Sequence, residues 1–582
     1  MPRRLSRYNG GHGFRIPRTT SLFRLQEPHL LSVTLYAEDP SVYIGTSTME
    51  FPHRGESIYY RHQATFVRDL QGHLLYCVGP RADTVREHWY SLRQLQRDDA
   101  FCGLKLYELQ ETLKGIVSGI FVASAKTTAV SEEFEKFFCK LILTRVDFAI
   151  SPLRESLACS ENCQRVTDKI VSLFDTHLRY QGEDDKWEVT GKAYFTKRVQ
   201  HFTAQGKRVE LCLPAFPCKS SNTDKVTGKD PDSGEQLALE RLHGFIEAIE
   251  KIYAAGAKLW IISDGHVFSD CIGVYDHVVD DYGRKLIEMN RVIGLKRGNS
   301  DRVGFKSLVD LFNLENDKSP TIDVRQLDIP AIEHHVETQI TKDAELCRRI
   351  LMAGCQSQRS ALRDRIVGED PAILALYRGF SRFMLEDLER HPFTQGMSRS
   401  KQKKLSAKVA FEMIMRNQAY SNLVELLFPN HIRLSIHAHN NAGPKFGIQL
   451  FDPATVRAVE SLTPNSDLVS SRDLLHIPTP WHNSVVKMVG SEVLYVTKAK
   501  VARDTLAEGS MVGRLGAHDQ SGILYFSLCP SDLGKANGTK WKTAIKEKEE
   551  ADANTASGER IASLYILPIR YMAARLLGSF QT

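Results

Sequence analysis

The pattern of apolar and polar positions is clearest between Arg208 and Asp270. The run VELCLPAF is branched and aromatic and predicts a buried strand, which breaks at Pro217 into the polar loop Cys218-Lys219-Ser220-Ser221-Asn222. Ser233-Gly234-Glu235-Gln236 has capping-box spacing, and Leu239, Leu242, Phe245, Ile246, Ile249 and Ile252 recur with helical period until Gly256. A second apolar run, Lys258 to Ile262, ends in Ser263-Asp264-Gly265-His266. Strand, loop, helix, strand predicts two parallel neighbours joined by a right-handed crossover. Ligands of open parallel sheets gather outside the carboxyl ends of the strands. Lys219, Ser220 and Asn222 follow one strand, and Ser263, Asp264, His266 and Asp270 follow the next, so both sets are candidates for a site, although such residue types are also ordinary turn and cap formers.

Taken in order, the rest of the pattern divides the chain. Residues 1–28 carry six arginines before the first acidic residue, Glu27. Mitochondrial presequences share that composition, but Pro2, Gly10, Gly11, Gly13 and Pro17 interrupt any amphipathic helix, so a disordered basic arm is expected. Residues 29–130 alternate short apolar runs with turns and predict a small mixed α/β module of no evident role. Helical spacing leads in over 131–180, and Trp187 to Phe195 reads as extended. A helix is expected from Val278 to Met289, and Ser307 to Phe312 as a peripheral strand or turn. Residues 338–427 are expected to be almost wholly helical, with charge runs on solvated faces. In Ile432-Arg433-Leu434-Ser435-Ile436-His437 a strand places Arg433, Ser435 and His437 on one face by period two, which suits a strand lining a cavity or an exposed edge. Lys445 follows, and then Thr479-Pro480-Trp481-His482 before a further strand. Residues 506–582 form an extension, with a mobile loop over 531–560 and a terminal basic helix expected to dock on the core.

Composition changes this picture little. The chain has 582 residues, a net charge of +6 and 25% charged residues, which gives no warrant for nucleic-acid binding. Eleven scattered cysteines without a CxxC pair predict neither disulfides nor a metal site, so the expected compartment is reducing and cytoplasmic. No apolar run is long enough to span a bilayer. The strand at Val209 is not followed by GxGxxG, which disfavours a nicotinamide enzyme.

The blocks LPAFPCKSSNTDKVTG, PDSGEQLALERLHGFIEAIEKIY, GAKLWIISDGHVFSDCIGVYD, FPNHIRLSIHAH and TPWHNSVV, in that order, resemble the pyoverdine/dityrosine biosynthesis family and its fungal branch more than its bacterial one. The resemblance covers roughly Tyr180 to Lys500. It implies a Rossmann-like α/β domain over 131–505, with a largely parallel sheet flanked by helices and a large helical insertion. It also implies an isocyanide synthase. In that reaction the amino group of tyrosine or tryptophan condenses with the ketone of ribulose 5-phosphate, the flanking sugar carbons are cleaved away, and one carbon stays on nitrogen. No metal or organic cofactor is implied. A later oxidation would fall to a separate oxygenase or cytochrome P450, since no His-x-Asp facial triad is present.

Such chemistry needs cationic anchors for a phosphate and a carboxylate, for which Arg433, Lys219 and Lys445 are available. It also needs acids and bases, for which Asp264, His266, Asp270, His437 and His482 are candidates, with His266 and His437 favoured. Ser220, Asn222, Ser263, Ser435 and Trp481 complete the expected binding set. Two other outcomes stay open: the formamide, as in a formyl-tyrosine precursor of dityrosine in spore walls, and a sugar-phosphate binder without catalysis. The number of titratable groups argues against the last.

Overall fold

The computed structural model describes residues 160–531 apart from 183–184, 315–323, 356–358, 429–430, 438, 461, 463–477 and 518–521, with a few residues of 131–141 and the strands within 14–124 before them. The basic arm expected at 1–28, save Phe14–Arg15, and the loop and helix expected in the tail lie outside the described residues. Within 29–130 every described residue belongs to a strand, and the pairs are all antiparallel; the longest, Ser57–Leu70, pairs with His73–Pro80.

Five parallel strands organise the rest. Strands β1 (Val209–Pro214), β2 (Ala257–Ser263), β3 (Val303–Ser307), β4 (Ile432–Ser435) and β5 (Lys445–Gly447) lie in the order β3-β2-β1-β4-β5. A parallel sheet covered on both faces is apolar along its strands, which is why VELCLP and AKLWIIS lack clean alternation. The chain runs outward from β1 to β3 and then returns to place β4 on the other side of β1. Strand order therefore reverses between β1 and β4, and the crevice at a reversal of this kind is where open α/β sheets bind ligands.

Helices cover the two faces. Helices α1 (Glu161–His177), α2 (Lys192–Thr203), α3 (Ser233–Ile252) and α5 (Asp276–Lys296) pack on the face carrying Leu211, Leu213, Ile261, Ile432, Leu434 and Phe446. The short helix α4 (Gly265–Phe268) follows β2 directly. The opposite face, with Cys212 and Ile262, meets α6 (Leu308–Phe312), α7 (Lys342–Cys355), α8 (Arg359–Val367), α9 (Pro371–Leu388) and α10 (Arg399–Leu427), the helical insertion expected from the sequence. Residues 432 and 434 thus face one layer and 433 and 435 the other, as period two requires.

A second, mixed sheet follows. Its strands β6 (Val456–Ala458), β7 (Ser484–Met488), β8 (Leu494–Thr497), β9 (Met511–Ala517) and β10 (Leu524–Pro530) run in the order β6-β8-β7-β10-β9, with helix α11 (Ala499–Ala507) against them. The boundary expected at 505 therefore falls inside one structural layer.

Three local expectations are corrected. The capping box of α3 is Asp232 with Glu235, one residue earlier than read: Asp232 accepts from the Gly234 amide at 2.8 Å, and Glu235 accepts from the Asp232 amide at 2.9 Å. Trp187 to Phe195 is helical, a π-turn (Trp187–Gly191) running into α2. Trp187, Gly191, Phe195 and Val199 recur every four residues and bury one helical face, and that packing overrides the extended preference of the segment's aromatic and branched residues. Ser307 to Phe312 is α6 with its N-cap, because Ser307 caps the helix and Asp310 accepts from the Ser307 amide at 2.8 Å.

Candidate active site at the carboxyl ends of the strands

The loops leaving β1 and β2 meet at Gly265. A methyl group there would lie 2.2 Å from the Pro217 carbonyl oxygen and 2.5 Å from a Val279 methyl, so only glycine lets these loops touch. Gly265→Ala is expected to cost about 1–3 kcal/mol in chemical denaturation. Beside this contact Phe216 holds a positive φ of 58° while fully buried, and its ring packs on Trp481 with centroids 5.0 Å apart. An aromatic residue in the left-handed region is strained, and such strain concentrates at functional sites.

Asp264 is the first residue past β2. It caps α4 without a side-chain bond, and its Oδ1 is buried with no hydrogen-bond partner. Burial pushes its carboxyl up to about 7, which suits a group that must hold and release a proton near neutral pH. Tyr420 of α10 closes over this position. Its hydroxyl donates to the Ile262 carbonyl at 2.8 Å, and its own pKa lies well above the usual phenol value, first through burial and then through the charge of Asp264, with Arg433 opposing. Tyr420 therefore feels both Asp264 past β2 and Arg433 on β4.

The β4 end is basic. Arg433 is level with Cys212 of β1 and Lys445 of β5, and its Nη1 is buried without a partner. Lys445 donates to Ser421 Oγ of α10 at 2.6 Å. Ser435 Oγ accepts the His437 amide at 3.2 Å and lies 2.9 Å from His439 Nε2. The His437 and His439 rings are 6.1 Å apart. The buried imidazole of His439 is held well below its ordinary pKa, first by burial and then by His437, Lys445 and Arg433.

The loop after β1 is structural in its polar atoms. Ser220 Oγ donates to Asp387 at 2.9 Å, Asn222 Nδ2 donates to the Glu386 carbonyl at 2.9 Å, and the Ser220 amide donates to the Trp481 carbonyl at 2.9 Å. Cys218, raised to about 12 by burial and then by Asp264 and Asp387, links this loop electrostatically to Asp264. Trp481 is buried, and His482 sits against the Phe383 ring at 4.9 Å with Nδ1 3.3 Å from Thr479 Oγ1. Ser263 Oγ donates to the Phe216 carbonyl at 3.0 Å and ties the two strand ends together.

These contacts bear on three expected roles. Lys219 is completely buried, and its ammonium lies 2.8 Å from both Asp232 and Glu235 and 2.9 Å from the Pro480 carbonyl. With its charge taken up it pins the start of α3 to the Trp481 turn, and it is not open to a substrate anion. Burial pushes Glu235 up to about 7 against the pull of Lys219. Asp270 is locked by Arg416 at 2.5 Å, His334 at 2.8 Å and Arg348 at 3.4 Å. Burial is the largest single influence and raises the carboxyl, but Arg416, the His334 bond and Arg348 together outweigh it and hold the carboxyl far below the usual carboxylate range, so Asp270 is a poor base. His266 Nε2 is bonded to Asp280 of α5 at 3.0 Å.

Asp270→Ala would take one carboxylate from each of two buried arginines, leaving Arg348 with Asp276 and Arg416 with Glu412, and is expected to cost about 1–3 kcal/mol in urea unfolding. The stability this carboxylate supplies is present above its unfolded pKa. It is lost as pH falls below about 4 toward the depressed folded value.

Sequence reasoning missed His439, Tyr420 and Ser421. His439 was legible in principle, because His437 and His439 continue the period-two pattern past the end of β4. Tyr420 and Ser421 carry no local signal, since only the folding of α10 over the sheet brings them near.

A family model described as pyoverdine/dityrosine biosynthesis protein matches residues 199–509. The chain is 46% identical over 344 residues to the spore wall maturation protein DIT1 of Saccharomyces cerevisiae, which covers 59% of this chain and 63% of that protein's length. It is 32% identical over 293 residues to an L-tryptophan isonitrile synthase of Fischerella ambigua, covering 50% of this chain and 71% of the relative. It is also 32% identical over 297 residues to an L-tyrosine isonitrile synthase of Xenorhabdus nematophila, covering 51% of this chain and 73% of the relative. Among solved structures, the PvcA protein of Pseudomonas aeruginosa aligns with a TM-score of 0.47 at 24% identity over 62% of this chain and 99% of that one.

Proposed function

The chain belongs to the pyoverdine/dityrosine biosynthesis family, and from that premise we propose that it is an isocyanide synthase joining the amino group of tyrosine or tryptophan to the ketone carbon of ribulose 5-phosphate. The observation that carries this reading is a pairing of opposites around Tyr420 on one sheet. Asp264 has a buried oxygen without a donor and a carboxyl raised to about 7, while Arg433 has a buried nitrogen without an acceptor. A substrate pair that brings both an amine and anions supplies what each lacks.

In this reading the amine adds to the ketone and Asp264 gives its proton to the carbinolamine hydroxyl, which leaves as water. The imine nitrogen keeps the former ketone carbon. His437, half-buried at the end of β4, takes protons from the sugar hydroxyls whose deprotonation starts the carbon–carbon cleavages, and the surplus electron pair leaves with the sugar fragment as it expels its phosphate, which keeps the retained carbon at the isocyanide level. Arg433 and Lys445 supply positive charge to a substrate anion, and Trp481 with Phe216 forms an aromatic wall. The reaction draws on protein acids, bases and charges, with no cofactor beyond the sugar phosphate.

A second outcome is favoured by the 46% identity to the spore wall protein, against 32% to the two isonitrile synthases. The one-carbon unit would then be released hydrated, as the N-formyl amino acid of a dityrosine precursor. Purified protein given tyrosine or tryptophan and ribulose 5-phosphate labelled at the ketone carbon separates these outcomes. An infrared isocyanide band with retained label supports the first reading, and a labelled formamide present from the earliest time points supports the second. No labelled amino-acid product with either substrate would overturn both.

A further inference from the structure

Among the described residues, the buried lysines and arginines follow one rule. Lys219, Lys225, Arg302, Arg348 and Arg416 each face a carboxylate within 3.0 Å. Arg433 differs: the residue is half-buried, none of the described ion pairs includes it, and its buried Nη1 has no hydrogen-bond partner. An uncompensated buried charge is costly, so such a position is retained for an anion that arrives from outside.

The tautomer of His439 adds an independent requirement. This residue is 7% exposed, and burial and its cationic neighbours keep the ring neutral. Ser435 Oγ already accepts the His437 amide, and the acceptor within reach of its own proton is His439 Nε2 at 2.9 Å. Assigning the Ser435 proton to this contact places the ring proton on Nδ1, which is buried and has no partner. Both orphaned atoms in this cluster are donors. At the opposite end of the crevice the orphan is an acceptor, Asp264 Oδ1.

We infer, resting on the reaction proposed above, that Arg433, Lys445 and His439, the last held in place by Ser435, form the subsite for the phosphate monoester of the sugar, and that the carboxylate of the amino acid binds elsewhere. A carboxylate carries one charge and is satisfied by one guanidinium fork. A phosphate monoester carries about −1.5 to −2 and three acceptor oxygens at neutral pH, which calls for two cations and further donors around them. Arg433 and Lys445 sit side by side in register on adjacent strands and supply the two cations, and His439 Nδ1 supplies a neutral donor. The substrate is thereby oriented, with its phosphate at β4 and β5 and its ketone toward Asp264 at β2.

The test is calorimetric titration of the full chain with inorganic phosphate, and with acetate as the carboxylate probe, alongside steady-state kinetics in both substrates. Wild type is expected to bind phosphate and to bind acetate at least tenfold more weakly (about 1.4 kcal/mol). Ser435→Ala and His439→Gln are expected to weaken phosphate binding about tenfold. Both variants should raise KM for ribulose 5-phosphate by a similar factor and leave KM for the amino acid unchanged. Should His439→Gln fail to fold, Ser435→Ala decides, since it removes one hydroxyl. Equal binding of acetate and phosphate, no phosphate binding, or a rise in the amino-acid KM alone would overturn the inference. If phosphate binding is present and lost in the variants while neither amino acid is turned over, the subsite stands and the proposed reaction falls.

Discussion

Asp264→Asn is expected to lower turnover by roughly 10²–10⁴-fold and, at pH 8, to make the folded chain more stable than wild type. The two effects share one cause. The carboxyl is raised from 3.8 to about 7 by burial, whereas in the unfolded chain it titrates near its ordinary value. Between about pH 4 and 7 the native state keeps a proton that the unfolded state has released, so stability falls as pH rises through this window and stays low above it. Asparagine carries no charge and escapes that penalty. The gain is roughly 1–3 kcal/mol, less than the full shift implies because the group is only half-buried by surface. Thermal unfolding at pH 4 and pH 8 checks it. The variant and wild type should converge at the lower pH and separate at the higher one. A variant less stable than wild type at pH 8 would mean that the carboxylate is compensated in the native state.

The second large effect is expected at Arg433. Arg433→Ala should reduce kcat/KM by about 10²–10³-fold, because a charge-assisted fork in a water-poor crevice is lost together with the register it imposes on the substrate. Its stability should be unchanged or higher, since the guanidinium has no carboxylate partner in the unliganded chain. Arg433→Lys should recover only part of the activity, having charge but no planar fork. His437→Ala is expected to abolish turnover with the fold intact. Wild-type rates in both alanine variants would remove this strand from the site.

Much of this arrangement could be read from the chain because period and punctuation act locally. The apolar runs at 209–214 and 257–263, the helix between them and the alternation at 432–435 each announce themselves within about twenty residues, and the parallel sheet follows from their order. What escaped notice was decided by contacts distant in sequence. Lys219 looks like an anion anchor beside a strand end, but Asp232 and Glu235 reach it only after α3 folds back, and Pro480 only after 261 further residues have packed. Asp270 looks like a second catalytic carboxylate until Arg348 and Arg416 arrive from the helical insertion. Trp187 looks extended until Phe174, Phe195 and Phe446 surround it. In each case the side chain's chemistry was legible and its partner was not.

The parallel pairing of Val486, Lys487 and Met488 with Phe526, Ser527 and Leu528 has a practical corollary. The family match stops at residue 509, ahead of both strands that complete this layer. Cutting the polypeptide at that homology limit would strip Ser484–Met488 of one hydrogen-bonded neighbour and bare its amides immediately after the turn bearing Trp481. Such raw margins invite intermolecular strand addition, so the shortened protein should aggregate, and recombinant work is better served by retaining everything through Ser531.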